Sequence, residues 1–265
     1  MDSSVAVSRF LTLLGAGVLC LLTQTGHATL AEGFENGLRP GESLIGDVGI
    51  QANYFGIPAT QGNNQLLLTT INAAPNSPDA DAGYTPQSGN NAVAVSSLAS
   101  FFGISESAIK NGTRTGQEGS GFAINLGSLS AGSAISLDYD FLTQEPSDGS
   151  GNRDFAFYTL TNQNGVTVIK DVFGATDSTP SSPSGNPFGN QSDYLNLTIN
   201  VPTSGNYTLG IGVVDAGSVS TDDAPSALLV DNIQINAVPE PTTIAFSIAG
   251  AGLLVALRSR FKKSS

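Results

Sequence analysis

The sequence predicts an all-β protein, an antiparallel β-sandwich with one short helical segment, flanked by an apolar segment at each end of the chain. Three observations predict it. Glycine and proline, 31 and 13 of 265 residues, punctuate short apolar stretches, which is the composition of a sandwich with many turns. Two stretches alternate strictly, Ile135, Leu137, Tyr139, Phe141 and Leu195, Leu197, Ile199, Val201, as strands with one buried face do. Apolar spacing becomes helical only between Ser97 and Lys110.

From the start of the chain, Arg9 precedes an apolar run over 10–22, and Gly26-His27-Ala28 offers small residues before a cut. Residues 1–28 therefore read as a secretory signal peptide, and the mature chain begins near Thr29 to Glu32. The region 29–237 then forms one β-sandwich ectodomain. Strands are expected at 44–51, 65–71, 92–96, 122–126, 134–142, 154–161, 166–173, 194–201, 206–215 and 227–236. Leu98, Phe101, Phe102 and Ile109 recur near helical spacing, Gly103 interrupts them and Asn111-Gly112 supplies a stop. A short helix packed on one end of the sandwich is expected there. Segments 73–91 and 175–191 are crowded with Pro, Ser, Asn and Gly and read as long loops, with 215–225 a third, shorter candidate.

The chain closes on Pro239-Glu240-Pro241, an uncharged apolar run over 242–257, and the cations Arg258, Arg260, Lys262 and Lys263. As a helix the run spans ~24 Å, slightly short for a free-standing membrane span. The prolines deny the chain a helix before Thr242, and the basic cluster stays on the cytoplasmic side, which places everything upstream outside. These features in this order resemble the PEP-CTERM sorting signal of bacterial envelope proteins, covering 238–265. The resemblance implies recognition by an exosortase, a membrane peptidase expected to cut near the Pro-Glu-Pro motif. It also implies membrane anchoring by the C-terminal helix, then transfer to the cell surface or the extracellular space. An ordinary single-span anchor would give the same topology.

The only Cys and His, Cys20 and His27, lie in the segment to be removed. Residues 29–257 retain 5 of the 10 basic and 21 of the 22 acidic residues, a net charge of −16. Such a surface repels nucleic acid and anionic lipid, so neither is expected as a partner. Disulfides are unavailable as staples, and stability must come from a core or a metal.

Two further resemblances concern the ectodomain. Phe101 to Ser105, Gly119 to Ala123, Ser136 to Glu145 and Asn152 to Phe157 are similar to secreted jelly-roll proteins that carry such sorting signals. Gly33-Phe34-Glu35-Asn36-Gly37 and Leu229 to Ile235 are similar to the first and last strands of carbohydrate-binding-type jelly rolls. That resemblance implies a structural Ca2+ held by Glu35 and Asp231, and the hard oxygen ligands it needs could be completed by backbone carbonyls and by Asp222 or Asp223. The residues agree in part, because Asp231 counts in register with Leu229, Ile233 and Ile235, where a carboxylate needs a partner or a metal.

Without His or Cys, a Ser-His-Asp triad, a Cys nucleophile and His-ligated zinc are excluded by inventory. A carboxylate pair acting on a glycosidic bond survives, with Asp138, Asp140, Glu145 and Asp154 as candidates. Asp138 and Asp140 alternate with apolar residues and are expected on the solvated face. Sugar binding needs aromatic faces with polar edges, and without Trp this falls to tyrosines, with Tyr84 in a long loop and Tyr194 beside Asp193 and Asn196 as the candidates. The expected role is non-catalytic, an exported surface or matrix protein binding exopolysaccharide. A ligand-free structural or adhesive protein comes second and a carboxylate-dependent glycosidase third.

Overall fold

The computed structural model describes residues 30–74, 81, 84–111, 114–145, 154–163, 165, 167–174, 188–216 and 224–236. The expected export and sorting segments, 1–28 and 238–265, lie outside the described residues, as do Asp222 and Asp223. Among the described residues no helix is long and apolar enough to cross a membrane.

The chain runs β1 (Ala31–Glu32), β2 (Glu42–Ile45), β3 (Asp47–Gln51), β4 (Asn53–Tyr54), β5 (Ile57–Pro58), β6 (Gln65–Thr69), β7 (Val93–Ala94) and α1 (Val95–Phe102). After a 3-10 turn at Glu106–Ala108 come β8 (Lys110–Asn111), β9 (Arg114–Thr115), β10 (Glu118–Leu129), β11 (Ala134–Thr143) and β12 (Phe155–Asn162). The rest are β13 (Thr167–Gly174), β14 (Asn190–Gln191), β15 (Leu195–Asn200), β16 (Gly205–Asp215) and β17 (Ser226–Asn236).

Two antiparallel sheets face each other. The first has the order β14-β11-β17-β6-β3, with β15 also on β11 and β1 also on β17. The second has the order β13-β12-β16-β10-β2, with β7 also on β10. Their inner faces bury the alternating residues read from the sequence, Ile135, Leu137, Tyr139 and Phe141 against Phe122, Ile124, Leu209 and Ile211. Phe34 meets Phe122 edge-on with ring centroids 5.7 Å apart.

Two expected elements change. The stretch 44–51 is not one strand: Gly46, at φ +83°, breaks it, and β2 and β3 belong to different sheets. A Cβ at Gly46 would stand 2.5 Å from Ser120 Oγ, so this corner needs glycine. The strand expected at 92–96 ends at Ala94, and α1 begins at Val95. The buried residues Val95, Leu98, Ala99 and Phe102 keep a helical period, which prevails over the local β-propensity of Val93 and Val95. Gly103 ends the helix in the left-handed conformation, its N–H turned to the carbonyls of Ala99 and Ser100.

The helix lies on the outer face of the second sheet rather than on an end of the sandwich. Leu98 and Phe102 rest on a floor of glycines: a Cβ at Gly121 would fall 2.7 Å from Phe102 Cζ, and one at Gly210 would fall 2.5 Å from Phe102 Cδ1. Phe102 also stacks edge-on with Phe157 at 5.4 Å. The middle of this face is therefore filled by protein.

Candidate functional site

The outer face of the first sheet is built by the residues opposite in phase to the core. β11 sends out Asp138, Asp140 and Leu142, and their partners on β17 are Asp231, Leu229 and Ala227. Leu229 and Ala227 pair in turn with Leu67 and Thr69 of β6, and Thr69 pairs with Asp47 of β3. Counting by twos puts Asp231 in line with Ile233 and Ile235, and the structure corrects this. A register shift opposite Ser136 and Asp138, with Asn232 at φ +53°, moves Ile233 and Ile235 to the core and leaves Asp231 outside with Leu229.

Half of this face is apolar and covered. β4 and β5 form a hairpin through Phe55 and Gly56, both at positive φ, and Asn53 Oδ1 accepts the Gly56 N–H at 2.7 Å. Tyr54 and Ile57 from this hairpin pack with Phe188 over Leu67, Leu142, Ala227 and Leu229. The other half is polar. Asp138, half-buried, accepts Asn196 Nδ2 and Asn232 Nδ2 at 2.9 Å each. Desolvation pushes its carboxyl up, but the hydrogen bonds from Asn196, Asn232 and Thr60 together outweigh this and leave it below the ordinary aspartate range.

Asp140 does not sit on solvated surface as expected. It is 1% exposed, the Ser192 hydroxyl lies 3.0 Å from its Oδ1, and desolvation, reinforced by Asp193, pushes its carboxyl up to about 6. Asp231 is fully buried. Its Oδ2 accepts the Gln61 N–H at 2.6 Å and the Thr60 hydroxyl at 3.0 Å, and its Oδ1 accepts the Asn232 N–H at 2.7 Å. Desolvation still prevails and raises its pKa.

Tyr194 stands over this row. Burial first, then Asp231, Asp140 and Asp138, push its phenol up, so the hydroxyl keeps its proton and donates it to Gln65 Oε1. Gln65 Nε2 in turn donates to the Ile57 carbonyl at 2.8 Å, linking Tyr194 to the hairpin. The strands of the first sheet contain no Lys or Arg, and among the described residues the ion pair found is Arg39 with Glu32.

The structure thus brings Tyr194, Asp138, Asp140 and Asp231 together and leaves the other candidates elsewhere. Tyr84 is half-buried in a separate loop, its N–H donated to the Asp81 carbonyl. The remaining tyrosines, Tyr54, Tyr139, Tyr158 and Tyr207, are buried. Glu145 and Asp154 are buried beyond the end of β11, where Glu145 Oε2 accepts the Asp154 N–H at 3.3 Å. Glu35 is exposed at the surface, and its Oε1 accepts the N–H groups of Asn63 and Asn64 at 2.7 Å each. Glu35 Oε1 and both carboxylate oxygens of Asp231 accept N–H groups, and Asp222 and Asp223, the further donors named with them, lie outside the described residues. Among the described residues no group of three or more acidic, His or Cys side chains could hold a metal.

Asn232 and Thr60 were not singled out from the sequence, and Asn196 was read there only as a polar neighbour of Tyr194. Asn232 carried a usable signal, since Asn is among the non-glycine residues that most readily take positive φ. The assembled surface can hydrogen-bond a hydroxyl-rich ligand through Asp138, Asp193, Asn196 and Thr60 beside the Tyr194 ring. A glycosidase pair would need both carboxyls open to the substrate, and Asp140 is closed off. A groove of about 480 Å³ lined by Leu44, Ile45, Gly46, Val48, Asn90, Asn91 and Val93 contains none of these residues.

No protein-family profile matches the chain, and no curated protein matches it. Among solved structures it is similar to the CBM22-1 xylan-binding domain of Paenibacillus barcinonensis Xyn10C, at 14% identity and TM-score 0.36 over 80% of this chain and 94% of that one. It is similar to the K1 cleaved adhesin domain of Lys-gingipain from Porphyromonas gingivalis, at 11% identity and TM-score 0.38 over 80% and 99%. A third is the C-terminal family 22 carbohydrate binding module of Clostridium thermocellum Xyn10B, at 10% identity and TM-score 0.35 over 78% and 91%. Identities and scores this low assign no ligand to this chain.

Proposed function

We propose that the protein is an exported, non-catalytic envelope component that binds polysaccharide on the outer face of its first sheet, at Tyr194. The observation that carries this reading is the composition of that face. A half-buried tyrosine ring is bordered by ionised Asp138, Asn196, Asp193 and Thr60, groups that match sugar hydroxyls. The strands of the first sheet contain no Lys or Arg, which favours a neutral or cationic polysaccharide over a uronate.

Export and sorting complete the proposal. Their support is the sequence alone: the segment 1–28, and the Pro239-Glu240-Pro241 motif with its apolar run and terminal cations. An exosortase-type peptidase acting there would release the ectodomain to the surface. Mass spectrometry of surface-released protein tests this part, and a C-terminal peptide running past Pro241 would contradict it.

The binding part is tested by retention of residues 29–237 on the producing organism's extracellular polysaccharide, with calcium and with chelator. Saturable retention lost in Tyr194→Ala supports it. Retention abolished by chelator would support a calcium role for Glu35 and Asp231, and no retention from folded protein would favour the structural, ligand-free role.

A further inference from the structure

The edges of the two sheets are not equally protected. An edge strand presents unpaired N–H and C=O groups, and monomeric proteins guard them with charge, proline, bulges, short length or a covering loop. In the second sheet, β13 includes Lys170 and Asp171 and has a register shift opposite Ala156 and Phe157, and β2 has four residues beginning with Glu42. In the first sheet, β3 is flanked by the loop that Asp47 ties down, through Gln87 N–H at 2.9 Å and Ser88 N–H at 2.6 Å. At the opposite edge β14 has two residues.

β15 has none of these devices. It pairs with β11 along one side, and its other side has no partner among the described residues. Its six residues, Leu-Asn-Leu-Thr-Ile-Asn, include no charge, no proline, no glycine and no bulge. Leu195 at its start is 41% exposed, one of two large hydrophobic residues so exposed among those described. On a chain of net charge −12, a neutral strand is also where two copies meet with least repulsion.

We propose that the free edge of β15 pairs antiparallel with β15 of a second copy, joining two first sheets into one across a two-fold axis. A strand is the occupant that satisfies an open row of backbone groups, and the strand itself is self-complementary. With Leu197 on the axis, Leu195 falls opposite Ile199 and Asn196 opposite Thr198, so each residue meets one of its own face, as antiparallel pairing requires. This register covers Leu195 and keeps both outer faces, each with its Tyr194, on the same side of the joined sheet. One strand pair is a small interface, so the association is weak and depends on concentration.

The test is sedimentation of the full chain in detergent, which covers the apolar 242–257 segment, over a range of protein concentration. A reversible dimer is expected, weakened about tenfold or more by Thr198→Lys, a guard charge at an exposed edge position. Amide exchange in Leu195 to Asn200 of the unmodified protein should slow as concentration rises, which reads the edge without any variant. A chain monomeric at every concentration, a dimer unaffected by Thr198→Lys, or exchange in β15 independent of concentration would overturn the proposal.

Discussion

Glu35 and Asp231 hold one loop from its two sides: Glu35 accepts the N–H groups of Asn63 and Asn64, and Asp231 accepts the N–H of Gln61 and the hydroxyl of Thr60. Acidic side chains here work mainly through backbone donors. Asp47 does the same for Gln87 and Ser88, and Asp154 for the Ala216 N–H at 3.1 Å. A chain with few cations can bury carboxylates in this way because loop N–H groups supply the positive ends of the hydrogen bonds.

Asp231→Ala should free the 60–61 end of that loop and leave the Gln61 and Asn232 N–H groups without their acceptor. The expected cost is about 1–3 kcal/mol by denaturant unfolding, with new protease cleavage near Gln61. Asp231→Asn, which keeps a carbonyl oxygen, should cost less. Equal losses in the two variants would show that the hydrogen bonds are not the cause.

Asp140 gives stability an unusual pH dependence. Its folded pKa is raised from 3.8 to about 6, so its contribution is fully present below the unfolded value and is lost as pH rises through about 6. Asp140→Asn should therefore stabilise the protein at pH ~7.5, by up to about 2–3 kcal/mol for a shift of this size, and flatten the pH dependence between ~4 and ~6. Unfolding curves at those pH values check it, and an unchanged slope in the variant would refute the assignment.

The fit of α1 to the second sheet rests on Gly210 and Phe102. Gly210→Ala places a methyl against the Phe102 ring and the Thr159 hydroxyl, and overpacking of this kind should cost about 1–3 kcal/mol. Phe102→Ala should cost about 3–5 kcal/mol alone, and the double variant less than the sum. Thermal unfolding of all three measures the coupling, and strict additivity would contradict the contact.

The sandwich was legible where side-chain alternation is uninterrupted, as in Ile135 to Phe141 and Leu195 to Val201, because one buried face fixes the period. It failed where one residue changes the phase. Gly46 splits a continuous apolar pattern between two sheets, and Asn232 moves Asp231 off the face that its spacing with Ile233 implies. The spacing of Leu98 and Phe102 announced the helix, but Val93 and Val95 favour a strand locally and hid its start at Val95, and its seat on the glycine floor across β10 and β16 was not legible. At the site, Tyr194 was legible as a tyrosine on a polar strand phase. The burial of Asp140 was not, since it depends on Ser192 from another part of the chain.

Nuclear magnetic resonance can locate polysaccharide bound to the outer face of the first sheet at Tyr194. The labelled ectodomain would be titrated with soluble oligosaccharides from the organism's own polysaccharide. Saturable shifts are expected in the side-chain amides of Asn196 and Asn232 and in the Tyr194 ring, with α1 unmoved. Shifts centred on α1 or on the groove at Leu44 and Val93, with those three residues silent, would contradict it.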